Sequence, residues 1–112
     1  MYKTSLFTAI GDSNGSVIKS GYSDLFNVTC VNLNANTRYL QLFDKTSLPL
    51  SGEKPKYSYP VYGLSGVSDL SSLELGDYGL PFAVGLSWGF SSTPLTYTPA
   101  NAVDNMTYIR YI

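Results

Sequence analysis

The chain contains no histidine. That removes the residue that most often activates a nucleophilic serine or cysteine, acts as general base, or ligates a transition metal. Glu74 and Asp77 form the one close carboxylate pair. Glycoside hydrolysis needs two facing carboxyls, but these two flank Gly76 in a turn context. Asp77 is there expected to bond local backbone N–H groups, with no general-acid pocket beside it. Cys30, between Thr29 and Val31 on a predicted strand, reads as a small core residue rather than a nucleophile. Asp12, Asn14 and Ser16 in GDSNGS match a calcium loop only in part. The glycine is misplaced and no bidentate glutamate follows at the right distance, so a turn is expected. Lys54 and Lys56 flank Pro55 and read as a solvated loop tip. Arg38 shares a strand face with Leu40 and Leu42. It either reaches solvent at the strand end or is clamped by carbonyls or a carboxylate, Asp44 being one candidate.

Aromatic residues offer the other chemistry. Tyr57, Tyr59, Tyr62, Tyr78 and Tyr97 fall in or beside loops. Tyrosine there supplies rigid amphipathic area for a protein interface, and it also lines carbohydrate sites. The sequence shows no polar constellation that would fix a sugar, so these five are candidate interface residues. Trp88 lies in a regular apolar strand and is expected in the core.

The elements that must position these residues read as strands. In Leu25–Lys45, Phe26, Val28 and Cys30 recur at period two, as do Arg38, Leu40 and Leu42. Asn34, Ala35 and Asn36 between them predict the turn of a hairpin. From Leu80 to Ser91, Phe82, Val84, Leu86, Trp88 and Phe90 alternate with Ala83, Gly85, Ser87 and Gly89. This predicts one strand with a large-residue face in the core and a small-residue face approached by another backbone. Ser16–Ser20, Ser58–Gly63 and Met106–Ile112 read as further strands, and Leu73–Leu75 as a brief extended piece. Thr46–Tyr57, Leu64–Ser72 and Ser92–Asp104 read as connections rich in Pro, Gly or Ser. Residues 1–15 read as an N-terminal arm, loosely ordered or an edge strand, that could bridge subunits. No stretch has helical periodicity with caps. The expected architecture is all-β, a single-domain antiparallel sandwich over residues 16–112.

Composition bounds the role. At 112 residues there is room for one core. Charged residues make up 13% of the chain, about half the usual share. With a net charge of −1 there is no electrostatic footprint for nucleic acid. No apolar run of about 18 residues predicts a membrane span, and the N-terminus lacks the apolar core of a signal peptide. A single cysteine gives no disulfide framework. Synthesis in a reducing cytoplasm is expected, and the sequons at Asn14, Asn27 and Asn105 read as chance.

The segment RYLQLFDK, preceded by VNLNANT, resembles a family of small virion structural proteins of tailed bacteriophages and prophages. In that family a strand of the form R-Y-L-x-L-[YF]-[DN]-K follows an Asn/Ala-rich turn. A Pro-containing loop and an I-P-V-type strand come next, matched here by SYPVYG. A G-[IL]-x-F-x-x-G-[IL] segment is matched by Gly79, Leu80, Phe82, Gly85 and Leu86. The loop STPLTYTPANAVDN and the strand MTYIRYI complete the likeness, which runs from about Phe26 to the end. Trp88-Gly89-Phe90 and the loop SGEKPKY depart from the pattern. The resemblance implies a jelly-roll-like sandwich on a phage particle, made in the host bacterial cytoplasm. The role it implies is a head decoration (cement) protein that bridges major capsid protein subunits, as a homotrimer at capsid three-fold positions. It implies no catalytic residues, cofactor or metal, and no small-molecule ligand is expected. The alternatives are a tail or fibre part with a receptor- or carbohydrate-binding role and, remotely, a small enzyme.

Overall fold

The computed structural model describes residues 5–10, 15–64, 66–70, 72–100 and 105–112. Their elements run β1 (Ser5–Ile10), β2 (Ser16–Ser20), β3 (Ser23–Asn32), β4 (Arg38–Asp44), β5 (Tyr57–Val61), β6 (Val67–Leu70), a helical turn α1 (Ser72–Leu75), β7 (Leu80–Phe82), β8 (Gly85–Ser91) and β9 (Asn105–Tyr111). Two antiparallel sheets form a β-sandwich. One has the order β1-β9-β3-β6, with β7 also pairing β3; the other has the order β2-β8-β4-β5. Of the two alternatives for residues 1–15, Ser5–Ile10 is an edge strand paired along its length with β9, so the sandwich takes in part of the expected arm.

The alternation of large and small residues sets the position of β8. All its residues are buried. Leu86, Trp88 and Phe90 enter the core with Leu25, Val28, Leu40, Leu42, Phe82 and Ile109. Each fully buried side chain of this size contributes roughly 1.5–3 kcal/mol. The opposite face is covered as well. Ser87 Oγ donates to the Lys45 carbonyl at 2.9 Å, and the buried Tyr97 ring lies against Gly89 and, edge-on at 5.7 Å, against Phe43. Gln41, also buried, holds the loop that carries Tyr97 by donating from Nε2 to the carbonyls of Thr93, Pro94 and Thr96. A second apolar layer thus lies outside the second sheet.

Three readings of the sequence need correction. Strands β3 and β4 exist, but they belong to different sheets and do not pair with each other, so Leu25–Lys45 is an arch and not a hairpin. Its Asn-rich connection is latched across the sheets by the buried Asn32. Asn32 Nδ2 donates to the Asn36 and Val61 carbonyls at 2.8 and 2.9 Å, and its Oδ1 accepts from Asn34 N. Second, a bulge between Leu25 and Asn27 shifts the register of β3 against β9. Leu25, Val28 and Cys30 therefore point inward, whereas Phe26 is only half-buried. Third, Leu80–Ser91 is not one strand. It breaks at Ala83-Val84 into β7 and β8, which lie in different sheets, and leaves Val84 exposed. Two smaller differences follow the same lines. The Gly/Ser-rich stretch from Leu64 to Ser72 contains strand β6, and the expected extended piece at Leu73–Leu75 closes a helical turn.

A methyl group at residue 89 would lie 2.4 Å from Tyr97 Cε1. Gly89→Ala is therefore expected to push Tyr97 out of its seat and destabilise the protein by about 1–3 kcal/mol. Urea unfolding followed by near-ultraviolet circular dichroism checks this, and an unchanged midpoint would contradict it.

Candidate functional site

The five candidate interface tyrosines do not share a surface. Tyr97 is 1% exposed and belongs to the second apolar layer, so it is not an interface residue. Tyr57 and Tyr59, two apart on the edge strand β5, are half-buried and stack at 6.3 Å. They pack against the core and close the open side of the sandwich, Tyr57 meeting Phe82 of the other sheet edge-on. Burial, with the neighbouring Tyr57 and Glu74, pushes the Tyr59 phenol above its ordinary value. Only Tyr62 and Tyr78 stand well out, at 69% and 88% exposure. Tyr62 follows the end of β5 and Tyr78 precedes β7, so the two lie at opposite ends of the sheets.

Polar residues singled out in the sequence take structural roles. Asp44 does not pair with Arg38. Its carboxylate accepts from the N–H groups of Ala83, Val84 and Gly85 at 3.1, 2.8 and 3.1 Å. Lys56 lies 3.6 Å away and also donates to the Pro81 carbonyl. Lys56 is thus no bare loop tip; its ammonium sits 5.1 Å from the centroid of the Phe82 ring. Partial burial pushes the Asp44 carboxyl up, but the three N–H donors and Lys56 outweigh it and hold the group below its ordinary value. Arg38 donates to its neighbour's carbonyl, Thr37 O. Glu74 ends up on α1 and Asp77 in the following turn, both exposed. Cys30 is fully buried, and burial pushes its thiol up to about 11 against an opposing hydrogen bond from Thr107. Trp88 is fully buried, its Nε1 donating to Ser16 Oγ at 2.9 Å. Asp12 and Asn14 lie outside the described residues. Among the described residues no three His, Cys, Asp or Glu side chains gather as a metal site, and no helix is long and apolar enough to cross a membrane.

Two surface features stand out among the described residues, one at each end of β3. Strand β3 has ten residues, so they stand about 30 Å apart. At the Asn32 end, the 33–36 and 62–66 connections are tied together by Leu64 N to Asn34 O and Asn32 N to Gly66 O, both 2.9 Å. This end presents Leu33, Tyr62, Leu64 and Val67, each about half exposed or more. Leu64 is 82% exposed and has a φ of 59°, the left-handed region that a leucine seldom occupies. At the Ser23 end lies a cleft of about 540 Å³ lined by Tyr22, Asp24, Phe26, Asp77, Tyr78 and Pro81, among others. The sequence offered no route to this cleft, because the bulge at Phe26 and the pairing of β7 with β3 bring its two walls together.

The chain matches no protein-family model, no curated protein and no solved structure.

Two tests address the polar groups. Cys30 is expected to ignore a thiol-specific disulfide reagent at neutral pH in the native protein and to react fully in denaturant; rapid native labelling would contradict this. Asp44→Asn is expected to cost about 1 kcal/mol at neutral pH. A carboxyl with a depressed folded value stabilises above its unfolded value of about 3.9 and loses that contribution as pH falls through the folded value. The gap in unfolding midpoint between wild type and Asp44→Asn should therefore narrow as pH is lowered below about 4. A gap independent of pH would show that the clamp is not electrostatic.

Proposed function

We propose that the chain is a non-enzymatic structural protein of a bacteriophage virion, a capsid decoration protein that binds neighbouring capsid subunits. The observation that carries this reading is the apolar end at Leu33, Tyr62, Leu64 and Val67. Scattered exposed apolar residues need no explanation, but several at one end of a sandwich mark a surface that another protein covers. Leu64 adds to this. A left-handed backbone costs a leucine roughly 1–2 kcal/mol, and here it holds an apolar side chain out in solvent, where it gives the isolated chain nothing in return.

The strand order supports a jelly-roll type of sandwich, the architecture implied by the resemblance to phage virion proteins. With the short β7 set aside, the remaining strands pair first with last, β1 with β9, and then β2 with β8, β3 with β6 and β4 with β5. That is one long antiparallel ribbon rolled so that successive ribbon segments fall in alternate sheets. The low share of charged residues and the doubly covered β8 suit a part that works by buried contact area. The mechanism is mechanical: copies seated across capsid subunits, as trimers at three-fold positions, add interface that opposes pressure from packaged DNA.

Leu64→Asn tests the reading. Asparagine accepts the left-handed backbone, so stability should stay within about 1 kcal/mol of wild type. Co-sedimentation with empty capsids of the cognate phage should fall tenfold or more, with light scattering reporting any loss of the trimer. Capsid binding unaffected by the substitution, or absent in the wild type, would overturn the proposed role.

A further inference from the structure

The cleft at the opposite end of the molecule is built differently, from aromatic rings and carboxylates. Residues 22, 24 and 26 stand on one wall, and residues 77, 78 and 81 on the other. The second wall is a tight turn closed by Gly79 N to Gly76 O at 3.1 Å. It is pressed against the first. A Cβ at residue 79 would lie 3.1 Å from the Leu25 carbonyl, 3.2 Å from Asp24 Cβ and 3.3 Å from Phe26 Cε1, and Gly79 has a φ of 85°. Glycine thus suits the positive φ, and any larger residue would need its neighbours to give by a few tenths of an ångström. The turn places Asp77 and Tyr78 on the same cleft as Tyr22 and Asp24. Asp24 is fixed in turn. Its main chain exchanges hydrogen bonds with Ile112 at 3.0 and 3.3 Å, and its Oδ1 accepts from the Tyr22 hydroxyl at 2.9 Å. That leaves acceptor capacity on the carboxylate for a ligand.

From this geometry we infer that the cleft is a saccharide-binding site for a neutral or amino-bearing disaccharide unit, with Tyr22 and Tyr78 as ring platforms and Asp24 and Asp77 as hydroxyl acceptors. Sugar rings pair an apolar C–H face with a rim of hydroxyl donors, which matches exposed aromatic faces beside carboxylates. The volume, about 540 Å³, falls in the range of roughly 300–1,000 Å³ that holds small-molecule ligands. It is too roomy for a lone ammonium head between rings. Among the described residues no lysine or arginine lines the cleft, so uronic and sialic acids are disfavoured beside the Asp24 and Asp77 carboxylates. The backbones of the walls are held by hydrogen bonds before any ligand arrives, so the ordering cost is confined to side chains. Tyr78, one of the five tyrosines that the sequence offered, is thus joined by Tyr22, which the sequence did not single out, and by two carboxylates, at a site distinct from Trp88. The inference goes beyond the capsid-binding role and does not rest on it, since the two surfaces lie at opposite ends of the sandwich.

The test is an amide-resolved NMR titration of the full chain at neutral pH. The probes are lactose, maltose, diacetylchitobiose, chitosan disaccharide, sialyllactose and tetramethylammonium. At least one neutral or amino disaccharide is expected to shift amides of 22–26 and 76–81 saturably, and sialyllactose to bind at least tenfold more weakly. Tyr78→Ala and Asp77→Asn, both at exposed positions, should each weaken binding fivefold or more with an unchanged melting midpoint. Binding of tetramethylammonium alone, shifts confined to other residues, sialyllactose binding as tightly as lactose, or no binding by any sugar would each overturn the inference. So would binding that both variants leave intact.

Discussion

Covering β8 on both faces is the constraint on which the rest of the structure depends. Its large side chains fill the space between the sheets, and its small ones allow a second layer, the loop bearing Tyr97, to lie directly on the backbone. A sheet covered on one face only would carry a row of alternating polar residues outward. Here the outward positions are Gly85, Ser87 and Gly89, and Gln41 and Phe43 on the neighbouring β4 complete the same buried layer. The two ordinary connections, from Lys45 to Lys56 and from Ser92 to Pro99, are thereby committed to packing. Through Tyr97 and the bonds to Ser87 and Gln41 they support the second sheet, while the ends of the strands present Leu64 and Tyr78.

Much of this was legible in the sequence, because period-two patterns report which face a strand buries. The alternation from Leu86 to Phe90, the inward Leu40 and Leu42 and the closing strand at Asn105–Tyr111 all follow from it. The β-sandwich does too. Pairing was less legible. An Asn-rich turn between two apolar strands carries the same local signal whether those strands pair with each other or cross from one sheet to the other, and the difference lies in long-range pairing, β3 with β9 and β4 with β8, joined by the Asn32 bond to the Val61 carbonyl. The bulge at Phe26 reverses the facing of one residue, and nothing in the local sequence marks it. The break between β7 and β8 was hidden because Val84 continues the alternation, while the group that ends the strand, the Asp44 carboxylate, lies far away in sequence.

The same limit applies to the surfaces. Tyrosine content pointed to recognition, but the sequence could not sort a tyrosine that fills a layer, as Tyr97 does, from a pair that seals a sandwich edge, as Tyr57 and Tyr59 do, or from Tyr62 and Tyr78, which remain outside. Burial follows from topology, and topology here rests on strand pairs separated by most of the chain, such as β1 with β9 and β2 with β8. The aromatic and acidic cleft depends on another long-range pair, β3 with β7.

The proposed role requires a rigid, doubly covered sandwich to bind a capsid through one end. Hydrogen–deuterium exchange of the free protein against the capsid-bound protein tests this most directly. New protection is expected at amides 33–36 and 62–67, with β3, β4 and β8 equally slow in both states. Protection spread instead over the outer faces of the sheets, with the Leu64 end still exchanging freely, would contradict it.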